Sequence, residues 1–199
     1  MIAPRIARGI LRLLGWTLVS EAPDLLKYVV IGAPHTSNWD LPIGLLGLIG
    51  LGIKPSLVVK HTLLRPPLGW LMRALGSIPI DRSQRRNFVD QVVAAYKEAD
   101  QLVVALTPEG TRSYTLCWKT GFYYIALGAD VPIALAFADY PTRRVGLGPT
   151  LYPTGDIEAD MAVIAEFYAD KTGKRPENKS PIRVRPPDYP AEEPRAKRL

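Results

Sequence analysis

Five apolar runs, bounded by glycine, proline or charged residues, punctuate this chain in the manner of strands buried on both faces of a sheet. They are Tyr28-Val29-Val30-Ile31-Gly32, Leu57-Val58-Val59, Ser77-Ile78-Pro79-Ile80, Leu102-Val103-Val104-Ala105-Leu106 and Pro132-Ile133-Ala134-Leu135-Ala136-Phe137. Pro79 lacks the N–H that a central strand gives to its neighbour, so its run belongs at a sheet edge. Between the runs the apolar period lengthens to that of a helix. From Gln84 to Ala99, Phe88, Val89, Val92, Val93 and Tyr96 share one stripe. From Asp156 to Lys171, Asp156 is placed as an N-cap, and Ile157, Met161, Ile164, Ala165 and Tyr168 form the inward side. Strands alternating with helices predict an α/β domain with a largely parallel central sheet flanked by helices.

The first residues follow a different pattern. Ile2, Ile6, Ile10, Leu13 and Leu14 share one broad helical face ending near Trp16, while Arg5, Arg8 and Arg12 point elsewhere. Such a helix either lies in a membrane interface, its arginines meeting lipid phosphates, or packs on the core as a surface helix. Residues 1–22 are therefore set apart as an amphipathic helix, and residues 23–173 as the α/β domain. In residues 174–199, Pro, Lys, Arg and Glu replace large apolar side chains, which predicts an extended or loosely attached tail.

With 199 residues, 47% of them hydrophobic, the chain can bury one real core. Cys117 is its single cysteine and closes no intrachain disulfide, which suits a reducing compartment. The net charge of +6 favours a polyanionic partner: nucleic acid, anionic lipid headgroups or a phosphorylated small molecule. Single-strand binding needs aromatic and basic residues interleaved on one surface, and beyond Tyr123-Tyr124 that weave is missing, so no nucleic-acid partner is expected. The longest uncharged run, Leu41 to Ile53, is far shorter than the roughly 20 apolar residues of a membrane-spanning helix. No transmembrane helix is predicted.

Three segments with chemical potential follow predicted strands, and ligands of parallel sheets bind beyond the carboxyl ends of strands. In Pro34-His35-Thr36-Ser37-Asn38-Trp39-Asp40, a helix beginning near Ser37 would let Asp40 curl back to the His35 ring. A carboxylate on one ring nitrogen fixes the tautomer and leaves the other to take a proton from a hydroxyl. Alone, the same residues also read as a helix-capping loop in which His35 merely packs. In Thr107-Pro108-Glu109-Gly110-Thr111-Arg112, Gly110 permits an unusual backbone turn, Thr111 offers a hydroxyl, and Arg112 a planar fork suited to phosphate. Glu109 beside a phosphate would repel it, which assigns it to a substrate hydroxyl or a nearby arginine. Gly76-Ser77-Ile78-Pro79-Ile80-Asp81-Arg82 delivers Arg82 to a third strand end.

Taken in order, these blocks resemble the glycerolphosphate and lysophosphatidate acyltransferases, specifically a small single-domain member. The family's H-x4-D is similar to His35 to Asp40, its glycine-to-arginine block to Gly76 to Arg82, and its F-P-E-G-T-R to Pro108 to Arg112, with Thr107 in place of phenylalanine. Its V-P-I block is similar to Val131-Pro132-Ile133, and Lys60, Leu68-Gly69-Trp70 and Lys119-Thr120-Gly121 resemble its linking segments. The resemblance covers about residues 27 to 138. It implies that His35 deprotonates an acceptor hydroxyl with support from Asp40, and that Arg82, Glu109, Gly110, Thr111 and Arg112 hold the acceptor. It implies an acyl-CoA or acyl-carrier-protein thioester as co-substrate, no metal or other cofactor, and a peripheral position on the cytoplasmic face of an anionic membrane. Trp39 and Thr107 depart from the pattern, and the segment Asp139 to Asp160 lies outside it, which leaves the acceptor open.

Other chemistries are compatible with parts of this pattern. A metal-dependent hydrolase would need His35, Asp40, His61 and Glu109 together, yet the two histidines have no helical ligand spacing. A non-catalytic basic membrane module leaves the placement of His35, Asp40 and Glu109 without a role. A thioesterase or N-acyltransferase on the same fold stays open.

Overall fold

Tyr28 to Gly32 become the middle of the molecule because nothing in that run tolerates water. In the computed structural model, which describes residues 2–60, 78–80 and 85–186, this run lies in strand β2 (Lys27–Ala33), and Val29, Val30 and Ile31 are buried on both faces. The other strands are β1 (Thr17–Val19), β3 (Ser56–Lys60), β4 (Ile78–Ile80), β5 (Leu102–Leu106), β6 (Ile133–Asp139) and β7 (Arg144–Leu151). The described helices are α1 (Ile2–Leu13), α2 (Asp40–Gly50), α3 (Arg85–Glu98), α4 (Gly121–Ala129) and α5 (Ile157–Tyr168).

The strands form one seven-stranded sheet in the order β1-β7-β6-β2-β5-β3-β4. Every pairing is parallel except β6 with β7. This is the expected α/β architecture, and β4, which carries Pro79, is the edge strand its proline requires. Alternation of side chains sorts the sheet into two faces. Val29, Ile31, Val104, Ile133 and Leu135 meet Val92 and Tyr96 of α3, Phe122 and Ile125 of α4, and Ile164 and Tyr168 of α5. On the opposite face Tyr28, Val30, Val103 and Ala134 meet Leu48 of α2. Asp156 caps α5 as its sequence position predicts, its carboxylate accepting from the Ala159 N–H at 3.1 Å.

The N-terminal helix is built into this second face rather than standing apart. Ala7 and Leu11 are buried, and the Arg8 Nε donates to the Gly50 carbonyl at 2.7 Å. The isoleucine face that the sequence singles out is turned outward: Ile2 is 75% exposed, Ile6 56% and Leu13 88%. Past α1 the chain forms β1 and joins the sheet, so the helix occupies only part of the segment 1–22.

Residues 175–186, the described part of the segment after Lys174, are not loosely attached. They carry little regular structure, but several of their polar atoms are bound to the domain. Lys179 Nζ donates to the carbonyls of Tyr168, Ala169 and Lys171, closing the end of α5. Ser180 is 3% exposed, Arg183 accepts from the Trp118 N–H through its carbonyl, and Ile182 and Val184 pack on the core. Composition signals the missing helix and hides this docking, which rests on a few small contacts.

Strand β7, with the sequence RVGLGPTL, has no strand signal of its own. Its glycines answer to close neighbours: a Cβ on Gly146 would stand 2.0 Å from the Val19 carbonyl oxygen, and one on Gly148 would stand 2.2 Å from the Phe167 ring. Gly44, in the middle of α2, meets nothing within 4 Å. Chemical denaturation should therefore separate two otherwise identical changes. Gly146→Ala is expected to destabilise by about 1–3 kcal/mol through displacement of β1, and Gly44→Ala to stabilise by about 0.5–1 kcal/mol through its effect on the unfolded chain.

Candidate active site

Strand β2 lies between β5 and β6 and runs parallel to both, so the loops that leave all three strands emerge on the same edge of the sheet. They carry His35 after β2, Glu109 after β5 and Tyr140 after β6. The structure brings His35, Asp40, Glu109, Gly110 and Arg112 to this edge. Arg82 lies outside the described residues, as does His61, and β4 is separated from β5 by β3.

Asp40 is the first residue of α2 and is buried to 9% exposure. No side chain caps this helix; instead the Asp40 carboxylate folds back over its own approach loop. Its Oδ2 accepts from the backbone N–H groups of Thr36 and Ser37, each at 2.7 Å, and faces His35 Nδ1 at 3.3 Å. Its Oδ1 accepts from the Tyr140 hydroxyl at 2.7 Å. Burial opposes the charge on Asp40, yet the bonds from His35, Tyr140, Ser37 and Thr36 together outweigh it, and the carboxyl sits below its ordinary value. With Nδ1 facing a carboxylate, the orientation of the ring is set by Asp40. Burial first, and then the Asp40 carboxylate, raise the Tyr140 phenol, which keeps it a donor.

Glu109 is engaged within the protein. It is 2% exposed, and both its oxygens are used within the protein: Oε1 accepts from the His35 backbone N–H at 2.6 Å and Oε2 from the Ser180 hydroxyl at 3.0 Å. A carboxylate so enclosed anchors the loop that carries His35, and among the described residues its bonded partners are the His35 N–H and the Ser180 hydroxyl. Burial raises its pKa by more than the bonds from the His35 N–H and Ser180 lower it. Two carboxylates thus grip His35, one by its ring and one by its backbone.

The remainder of the block is shaped around Gly110, whose φ of 65° is left-handed and whose missing Cβ would stand 3.0 Å from the Lys119 side chain. Thr111 is half-buried, and its hydroxyl accepts from the Ser113 N–H at 3.3 Å. The exposed Arg112 donates to Asn38 Oδ1, tying the second loop to the first.

A cleft of about 1000 Å³ opens beside these loops, with His35 and Asp40 on its wall. Its apolar lining includes Leu41, Leu45 and Leu48 of α2 together with Phe88 and Phe122. Gly32, Ala105 and Ala136, small residues at the sheet's carboxyl edge, leave room for it. Among the described residues, no three His, Cys, Asp or Glu side chains gather as a metal-binding group.

Tyr140 and Ser180 are the members of this site that the sequence does not announce. Tyr140 lies three residues beyond the predicted strand, which the structure extends to Asp139, so the strand-end rule points near its position; Ser180 sits in a segment with no pattern.

The Acyltransferase family model matches residues 21–135, more than half of the chain and the whole stretch from before β2 into β6. The chain belongs to the Acyltransferase family. A relative, the 1-acyl-sn-glycerol-3-phosphate acyltransferase of Saccharomyces cerevisiae, is 34% identical over 126 residues, 58% of this chain. The match takes in 40% of that relative, so this chain spans well under two thirds of its length. The crystal structure of the 1-acyl-sn-glycerophosphate (LPA) acyltransferase PlsC from Thermotoga maritima superposes with a TM-score of 0.59 at 18% identity, covering 86% of this chain and 80% of that one, which establishes a shared fold.

The two buried carboxylates give opposite pH dependences of stability. Asp40 is lowered from 3.8, so its contribution is present above that value and is lost as pH falls. Glu109 is raised from 4.5, so its contribution is complete below 4.5 and is lost as pH rises through the folded value. Glu109→Gln keeps an acceptor for the His35 N–H and removes the titration. Its melting temperature should gain on that of the natural protein as pH is raised from 4 to 7; a constant difference across that range would show that Glu109 does not titrate with folding.

Proposed function

We propose that this chain is an O-acyltransferase working on a membrane surface, moving a fatty-acyl group from acyl-CoA or acyl-carrier protein to a hydroxyl of a glycerophospholipid precursor or other lyso-lipid. The observation that carries this reading is the His35–Asp40 pair on the wall of a largely apolar cleft, with Nδ1 directed at the carboxylate. In the proposed reaction His35 Nε2 takes the proton of the acceptor hydroxyl, and the oxygen attacks the thioester carbonyl. The tetrahedral intermediate collapses, the C–S bond breaks, and the thiolate leaves with the proton returned by His35. Asp40 stabilises the imidazolium in between. The cleft gives an acyl chain an apolar place to lie. Arg112, Gly110 and Thr111 stand at the acceptor end, with Arg82 added by the family pattern and a phosphate as the anchor.

Membrane-surface action is supported by the outward face of α1 and by Trp39 and Leu41, which are 56% and 51% exposed near the cleft. Among the described residues no helix is long and apolar enough to cross a bilayer. An exposed isoleucine face, flanked by Arg5 and Arg12 and borne on a chain of net charge +6, suits a helix lying in an anionic interface.

Thiol release from long-chain acyl-CoA should require an acceptor such as lysophosphatidate or glycerol-3-phosphate. It should fall by about 10²–10⁴-fold in His35→Ala. Release in the absence of any acceptor would identify a thioesterase instead. Separately, Ile6→Gln with Leu13→Gln should weaken binding to anionic vesicles by about tenfold or more, given the apolar area withdrawn. Turnover of a water-soluble short-chain substrate should survive that change; unchanged vesicle binding would remove α1 as the membrane face.

A further inference from the structure

We infer that Tyr140 is a positioning residue for acyl transfer, pinning the Asp40 carboxylate that orients His35, and that Trp16 at the end of the N-terminal helix segment clamps its ring. The inference rests on the proposed role of the dyad and adds a third member drawn from outside the segments that resemble the family. The two oxygens of Asp40 are loaded differently. Thr36, Ser37 and His35 all address Oδ2, whereas the Tyr140 hydroxyl addresses Oδ1 at 2.7 Å. A carboxylate turns about its terminal bond with little resistance, and its two oxygens are chemically equal. The bond on Oδ1 fixes which oxygen faces Nδ1 and holds the plane of the group.

Tyr140 is itself held at every part. Its N–H donates to the Thr172 carbonyl at 3.0 Å, and its own carbonyl accepts from the Arg143 N–H at 3.3 Å. Its ring meets that of Trp16 edge-on, with centroids 4.9 Å apart and planes at 89°. Trp16 is 7% exposed and its N–H donates to the Leu11 carbonyl at 2.8 Å, so the clamp is rooted in α1. The loop carrying Tyr140 grips the same region in return. The Thr17 N–H donates to the Arg143 carbonyl at 2.8 Å, and Arg143 Nη1 donates to the Leu14 carbonyl at 3.3 Å. The seating of the N-terminal helix is thereby mechanically continuous with the geometry of the dyad.

Tyr140→Phe removes the hydroxyl and keeps the ring against Trp16. With lysophosphatidate and long-chain acyl-CoA, kcat should fall about ten- to a hundredfold while KM for both substrates stays within about twofold. In an Asp40→Asn background the same change should cost no further activity, because the carboxylate it positions is already gone. Trp16→Leu should lower kcat by a smaller factor and add nothing in the Tyr140→Phe background. Equal losses from Tyr140→Phe in both backgrounds would mark a general structural role and overturn the inference. So would a rise in KM at constant kcat, or natural kcat in Tyr140→Phe. His35→Ala separates the two levels: if it retains natural turnover the dyad reading itself fails, whereas an inactive His35→Ala beside a fully active Tyr140→Phe sinks only the role of Tyr140.

Discussion

A buried carboxylate must be saturated with donors, and meeting that demand at Asp40 organises the candidate site of this protein. Three of the donors, two N–H groups and the His35 ring, come from the loop after β2, and the fourth is the Tyr140 phenol, delivered from far along the chain by the neighbouring strand β6. No single loop of this size supplies them all. The parallel sheet does, because neighbouring strands end on one edge whatever their separation along the chain. Position at the start of α2 adds the favourable end of the helix dipole.

Glu109 extends the same logic one strand further. By accepting the His35 N–H and the Ser180 hydroxyl, it fixes the backbone from which the imidazole projects and recruits the segment after α5 as a strap across the site. Thr36 is held from that side too, its hydroxyl oxygen accepting the Arg175 N–H at 3.1 Å. The loop bearing His35 is thus braced by β5, β6 and the strap together. That bracing holds the imidazole in place, as the proposed general base requires.

The sequence made the fold legible wherever burial was two-sided and continuous. Val29 to Ile31, Val103 and Val104, and Ile133 to Leu135 became central strands because no other environment accepts them. Pro79 marked its own edge. The antiparallel β7 was illegible because Gly146 and Gly148 answer to the Val19 carbonyl and the Phe167 ring, partners that exist only after folding. At the site, His35 and Asp40 were legible as a pair only together with the other blocks, since their spacing alone also fits a helix-capping loop. The internal partners of Glu109 were not legible because a carboxylate in a motif looks the same whether it faces substrate or protein; burial decides, and burial is a tertiary property. Ser180 escaped for a simpler reason, since one serine in a polar stretch carries no pattern. Arg82 was legible as a candidate cation and lies outside the described residues.

In the proposed reaction, His35 and Asp40 work as one unit in acyl transfer from a thioester to a hydroxyl. The most direct measurement is the kcat for lysophosphatidate acylation by His35→Ala, Asp40→Asn and the double variant, each checked for native melting behaviour. If the carboxylate acts through the imidazole, the double variant will be no slower than His35→Ala alone. Losses that multiply across the two positions, or natural turnover in His35→Ala, would contradict it.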